Sequence, residues 1–401
     1  MEDGFVNRAG ASLAARAGAQ AASRLRPLDR PPSQSIVALG VGIVGLPNVG
    51  KTTLFNALTR AGATVAGYAF STVEPNTAVV SVPDARLDVL ARMYTTRKIT
   101  PTSMTFNDVA GLVAGASKGE GLGNRFLSYI REVDALAVVV RCFKDPNAAS
   151  GSTGVDPLGD MAMLNLELAL ADLEVVNKRR EKIAGTARFK PGAKEHDELQ
   201  VLDRVAAHLD AGQAVRSLTL VAEEEKLLRS FALLTGKPMI YVANIAEQDI
   251  REASEAVKAL GAQAAQEGAE VVVLSAKLEA ELRELPEEEA QAFLEDAGLQ
   301  EPALPAFIHA AYRLLDLLTF LTAGETEVRA WTVRRGARAP EAAGVVHSDF
   351  ERGFIKAEIV SFQDLEAAGS YPAAKERGKV RLEGKEYVMQ DGDVCLFRFN
   401  V

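Results

Sequence analysis

The chain has 401 residues, 48% of them hydrophobic and 25% charged, and a formal net charge of −9. The length suits two or three domains of a globular protein, and no run approaches the roughly 20 apolar residues of a membrane span. The acidic balance argues against a general nucleic-acid coat while leaving room for a local basic face, and the distant Cys142 and Cys395 imply no disulfide framework and a reducing cytoplasm.

Residues 1–35 carry Arg8, Arg16, Arg24, Arg26 and Arg30 among many alanines, with Pro27, Pro31 and Pro32. An arginine-rich leader can be a transit peptide, but Glu2, Asp3 and Asp29 weigh against that. The segment is expected to be a disordered or mis-called extension outside the fold.

Residues 36–44 form an apolar, β-branched run punctuated by glycine, the pattern of a strand. It enters Gly45-Leu46-Pro47-Asn48-Val49-Gly50-Lys51-Thr52, which fills every fixed position of G-x-x-x-x-G-K-[ST], and residues 53–59 continue with helical spacing. A strand that turns through glycines into a helix N-terminus aims N–H groups and the positive dipole end at an anion. The loop predicts a nucleoside-triphosphate site in which Asn48, Val49, Gly50, Lys51, Thr52 and Thr53 surround the phosphates. Lys51 is expected to act catalytically on the β- and γ-phosphates, and the Thr52 hydroxyl to ligate Mg²⁺.

Further pieces of a nucleotide switch follow in order. Thr72, in the polar segment 71–77, is a candidate to close on Mg²⁺ when the γ-phosphate is present. Residues 106–111 read as a strand end followed by D-x-x-G. Asp108 would hold Mg²⁺ through water, and the Gly111 N–H would sense the γ-phosphate. Leu112 stands where a glutamine commonly orients the attacking water, so hydrolysis is expected to be slow and another group must position the water. The glycine-rich segment 111–124, with Lys118, Glu120 and Asn124, is the expected source. His196, His208, His309 and His347 lie outside these motifs.

The base-reading loop follows the strand-like residues 239–243. A guanine site reads N-K-x-D, whereas here Asn244-Ile245-Ala246-Glu247 has isoleucine for lysine and a longer carboxylate. A misplaced carboxylate gives up the contact that selects guanine. Guanine preference should be weak or lost, while the Asn244 amide can still serve adenine. Ser275-Ala276-Lys277, after the strand-like residues 271–274, fits the last base-side loop with a backbone N–H role.

These motifs together resemble the Obg-like ATPases, the YchF group. The resemblance rests on residues 45–53 (GLPNVGKTT), 72–76 (TVEPN), 108–124 (DVAGLVAGASKGEGLGN) and the N-x-x-E of 244–247. It extends to 344–354 and 385–394, spanning roughly residues 39–401. It implies an α/β P-loop, G-protein-like domain interrupted by an antiparallel helical hairpin and followed by a C-terminal β-grasp TGS domain. It also implies ATP preferred over GTP, slow hydrolysis, and association with the ribosome (its large subunit or ribosomal RNA).

The hairpin also has its own signature. Leu166, Ala169, Leu173, Val176 and Ile183 recur at helical spacing, as do Leu199, Leu202, Ala206 and Leu209 after Pro191-Gly192. Arg179, Arg180, Lys182, Lys190 and Lys194 cluster toward its tip, as either a solvated face or an RNA-contacting arm. Beyond Pro305, residues 307–321 look helical, and 328–333 and 394–399 read as strands. Lys375, Arg377, Lys379 and Arg381 recur at period two, as an RNA-facing strip or a charged edge that resists aggregation. Trp331 is expected in a core.

The expected boundaries are 36–158 and 236–304 for the nucleotide-binding domain, 159–235 for the hairpin and 305–401 for the TGS domain. The leading reading is a cytoplasmic, monomeric ATP-hydrolysing switch that uses Mg²⁺. The rivals are an Obg- or DRG-type GTPase and a nucleotide-gated binding protein with incidental hydrolysis.

Overall fold

The second half of the glycine-punctuated run becomes a strand. In a computed structural model, which describes residues 39–60, 64–65, 76–109, 122–144, 155–189, 194–252 and 254–400, β1 (Gly40–Val44) is buried throughout and leads through the glycine loop into α1 (Lys51–Arg60). Next come β2 (Thr64–Val65), β3 (Asn76–Ser81), α2 (Ala85–Tyr94), β4 (Ile99–Thr100), β5 (Ser103–Asp108), α3 (Leu122–Glu132) and β6 (Ala135–Arg141). After a long pair of helices, α4 (Pro157–Phe189) and α5 (Lys194–Asp210), α6 (Ala222–Arg229) returns to β7 (Met239–Asn244), α7 (Glu255–Gln266) and β8 (Glu270–Leu274). Residues 1–35, Thr72, Gly111, Leu112, Lys118, Glu120 and Lys190 lie outside the described residues, as does the side chain of Asn124.

The first sheet runs β2-β3-β5-β1-β6-β7-β8. Its five strands from β5 to β8 are parallel, and β3 joins β5 antiparallel. Strands covered on both faces read as continuous apolar runs, which is why β6 and β7 are nearly all Ala, Val, Leu, Ile, Met and Tyr. One face packs on α1 through Leu54 and Leu58. The other packs on α3, α4 and α7 through Ile130, Met161 and Leu260. All of the parallel strands point their C-terminal ends to one edge, where α/β proteins bind ligands.

Although β6 and β7 are sheet neighbours, the chain between them carries the helical pair. Ala169, Val176 and Ile183 from α4 meet Leu202, Val205, Ala206 and Leu209 from α5, at the spacing the sequence shows. Leu166 departs from that expectation and is 56% exposed. At that level α4 has turned its apolar side to the sheet through Met161, Leu164 and Leu168, so Leu166 faces away. The fully buried Asp172 fixes the base of the pair, accepting from the Leu234 and Thr235 amides at 2.8 Å each and from the Thr235 hydroxyl at 2.7 Å. At the expected basic tip, Arg179 binds Glu198 and Arg180 binds Asp203, each at 2.6 Å, so both arginines are spent within the hairpin.

The C-terminal half continues with α8 (Ala276–Leu282), α9 (Glu287–Ala297), α10 (Leu304–Leu314), β9 (Leu317–Ala323) and β10 (Val328–Arg334). The expected helix over 307–321 therefore stops early. Asp316 takes a left-handed φ of 55°, the chain turns, and Leu317–Ala323 becomes a strand. Then α11 (Ala339–Val346), α12 (Ser348–Arg352), β11 (Phe354–Ser361), α13 (Phe362–Ala368), α14 (Tyr371–Glu376), β12 (Arg381–Glu383) and β13 (Asp393–Phe399) complete the chain.

The second sheet runs β12-β11-β13-β9-β10-β4, so a short strand from the nucleotide-binding half completes it. Between them, α2 packs Leu87 and Leu90 onto that sheet against Leu321, Val328 and Val360. The period-two basic strip does not form. Lys375 lies on α14, and only Arg381 lies on a strand. Lys375 meets Glu358, Lys379 meets Asp364, and Arg381 meets Glu383 and Asp393, which neutralises the expected edge. Trp331 is half-buried, stacked on Phe320 with the Arg329 guanidinium 4.0 Å from its ring centroid.

Candidate nucleotide site

At the C-terminal edge of the first sheet, β1 passes into the loop 45–50. Two glycines make the turn possible. A Cβ on Gly45 would lie 2.5 Å from the Val139 carbonyl oxygen, and Gly50 combines a φ of +96° with a Cβ position 2.2 Å from Asn244 Nδ2. Asn48 also takes a left-handed φ of 61°, a conformation asparagine tolerates better than most residues. The loop delivers the chain to the N-terminus of α1, whose first turn holds no acidic residue. That turn offers unneutralised N–H groups to an anion.

Lys51 is 8% exposed, and its ammonium donates to the Leu46 carbonyl at 2.7 Å. Burial pulls its pKa down to about 8, against the opposing pull of Asp108. A buried cation beside Asp108 and the Leu46 carbonyl is matched to an anionic ligand. Burial moves the Asp108 carboxyl the other way, upward, with Lys51 and a Thr52 hydrogen bond opposing the shift. The Thr52 hydroxyl donates to Asp108 across 3.4 Å, so two hard oxygen donors converge beside the phosphate loop. That donor chemistry fits Mg²⁺, which takes few protein oxygens and completes its shell with phosphates and water. Among the described residues no cluster of three or more His, Cys, Asp or Glu side chains gathers elsewhere to hold a metal.

The base-side loops are tied to the phosphate loop by one amide. Asn244, 4% exposed at the end of β7, donates from Nδ2 to the Val49 carbonyl at 2.8 Å. Its Oδ1 accepts from the Ala276 amide at 2.9 Å. Ser275 is buried and caps α8, its hydroxyl accepting from the Leu278 amide at 3.4 Å. Ile245 belongs to the core beside Cys142 and Val257 rather than to the site mouth. Glu247 opens a short turn, and its carboxylate meets the Lys277 ammonium at 3.3 Å.

The structure thus gathers Asn48, Val49, Gly50, Lys51, Thr52, Thr53, Asp108, Asn244, Glu247, Ser275 and Ala276 at one sheet edge. Thr72 and Gly111 are outside the described residues. Two side-chain relations on α8 were not legible in the sequence. Lys277 pairs with Glu247, a relation that needs β7 and β8 side by side. Glu279, buried on α8, accepts from the Ala303 amide at 2.6 Å and so caps α10 from a distance.

Residues 40–178 match a family model described as 50S ribosome-binding GTPase, and residues 317–400 match YchF-GTPase_C, described as a protein of unknown function (DUF933). The ribosome-binding ATPase YchF of Bacillus subtilis is 52% identical over 367 residues, covering 91% of this chain and all of that protein. The Haemophilus influenzae protein of the same name is 50% identical, covering 90% of this chain and 99% of its own. The structure of the Schizosaccharomyces pombe YchF GTPase superposes with a TM-score of 0.81 at 36% identity, covering 93% of this chain and all of that one. The chain belongs to the YchF family.

Proposed function

We propose that this protein is a ribosome-associated nucleotide switch that binds Mg²⁺·ATP in preference to GTP and hydrolyses it slowly to ADP and phosphate. The names of its relatives divide between ATPase and GTPase, and the Asn244–Ala276 hydrogen bond at 2.9 Å carries the choice between them. A purine 6-oxo group needs a donor, and the backbone N–H best placed to supply it is already given to Asn244. Adenine carries a 6-amino group and brings its own donor. Guanine therefore leaves a carbonyl without a partner, a loss of about 1–3 kcal/mol, whereas the adenine 6-amino group can donate to the second lone pair of Asn244 Oδ1.

The division of labour follows from the site. The N–H groups at the start of α1 hold the phosphates, and Lys51 neutralises the β- and γ-phosphate charge that grows during transfer. Thr52, Asp108 and Thr72 would hold Mg²⁺, which would supply further charge neutralisation. Gly111 reports the γ-phosphate, and Asn244, Glu247, Ser275 and Ala276 face the base. The chain divides into a nucleotide-binding domain (36–158 and 236–304), a coiled-coil hairpin (159–235) and a TGS-type β-grasp domain (305–401). The last two present the nucleotide state to the large ribosomal subunit. In this reading the protein works as a cytoplasmic monomer. No helix among the described residues is long and apolar enough to cross a membrane.

Calorimetric titration of the nucleotide-free protein with Mg²⁺·ATP and then Mg²⁺·GTP tests this reading. ATP should bind at least about tenfold tighter, 1.4 kcal/mol. Tighter GTP binding would return the protein to the GTPases.

A further inference from the structure

Lys277 is the second residue of α8, directly after Ala276, and its ammonium lies 3.3 Å from Glu247 and 3.5 Å from Glu281. The Glu281 contact is a helical i,i+4 pair that lays the lysine stem along α8. The Glu247 contact crosses from α8 to the turn after β7, spanning the two base-side loops. These three side chains are 69%, 35% and 46% exposed, so nothing in the core forces the arrangement.

The two purines differ at the edge such a carboxylate would face. Guanine presents an N1–H and a 2-amino group, both donors, and a free carboxylate accepts from both. Adenine presents an unprotonated N1 and a C–H, so it gains nothing from a carboxylate and is disfavoured beside its lone pairs. An ammonium on that carboxylate cancels its charge, occupies an oxygen, and offers donors to an acceptor edge.

We propose that Lys277 is a specificity-determining residue, which by holding Glu247 withholds from guanine the carboxylate that would read N1–H and the 2-amino group. The inference rests on the placement of Glu247 at the base side of the site and adds the residue that disables it. Held by Lys277, Glu247 adds a smaller increment to the preference that Asn244 and Ala276 set.

The test measures Kd for Mg²⁺·ATP and Mg²⁺·GTP on the full chain with three proteins: wild type, Lys277→Gln, and Lys277→Gln with Glu247→Ala. An exposed pair of this kind supports a change of about two- to fivefold. Lys277→Gln should tighten GTP by that factor and narrow the ATP-to-GTP ratio, and the added Glu247→Ala should remove the gain. Because an exposed ion pair is screened by salt, the wild-type ratio should also narrow between about 0.05 and 0.5 M salt, and that of Lys277→Gln should not. An unchanged ratio in Lys277→Gln, with ATP still preferred by the wild type, overturns the role of Lys277 alone. A gain that survives the loss of Glu247 also overturns it. Wild-type protein that binds GTP as tightly as ATP overturns the underlying reading of the base site.

Discussion

Asn244 Nδ2 and the Val49 carbonyl are joined at 2.8 Å, so a residue at the end of β7 fixes the backbone of the phosphate loop. The same side chain accepts from Ala276, and one amide thereby sets the spacing of phosphate loop and base-side loops. Asn244→Ala leaves a buried carbonyl and a buried N–H without partners, each costing about 1–3 kcal/mol. Affinity for both nucleotides should fall tenfold or more, and ATP should lose more than GTP because the freed Ala276 N–H can now serve a 6-oxo group. Binding isotherms for the two nucleotides check this; an unchanged ratio would count against it.

Gly50→Ala probes the same contact from the other side. The new Cβ would fall 2.2 Å from Asn244 Nδ2 at a φ of +96°. Strain of about 1–3 kcal/mol is expected, relieved by pushing Asn244 off Val49. The variant should remain folded by circular dichroism yet bind ATP at least tenfold more weakly.

Lys51 makes binding depend on pH. In the free protein burial holds its pKa at about 8; phosphates beside it raise that value in the complex. Below about pH 8 the lysine is charged in both states and affinity is flat. Above that, until pH reaches the pKa of the complex, binding takes up a proton and affinity falls as pH rises, by up to tenfold per pH unit. Titrations at pH 8.5 in two buffers of different ionisation enthalpy should show proton uptake. A zero uptake would mean that Lys51 does not approach the phosphates.

The two halves of the molecule meet at Arg86 on α2, which binds Asp84 at 2.7 Å and Asp391 at 2.8 Å. Asp391 in turn accepts from the Thr319 amide at 2.9 Å. Its two bonds are separable. Asp391→Asn keeps a carbonyl for Thr319 and weakens only an exposed ion pair, worth about 0–1 kcal/mol. Asp391→Ala removes both, so hydrogen exchange at the Thr319 amide should accelerate in the alanine variant and hardly change in the asparagine one.

Local pattern carried the phosphate loop, β5 with Asp108, and the seam of the hairpin, because strand-to-helix turns and helical spacing are written in consecutive residues. What escaped depends on distant partners. The run 317–323 is apolar enough for a helix, and only the left-handed turn at Asp316 makes it a strand. Ile99–Thr100 is too short to announce itself, yet it completes the C-terminal sheet by pairing with β10. The basic strip at 375–381 looked free because Glu358 and Asp393 come from other strands and Asp364 from α13. Asn244 looked like a base reader alone, and its grip on Val49 required the fold.

Co-sedimentation with ribosomes in the presence of Mg²⁺ and either a non-hydrolysable ATP analogue or ADP tests the central claim most directly. The protein should pellet with ribosomes in one nucleotide state and remain largely in the supernatant in the other, and Lys51→Ala should abolish the difference. Equal sedimentation in both states, or none in either, would contradict a nucleotide switch that reports to the ribosome.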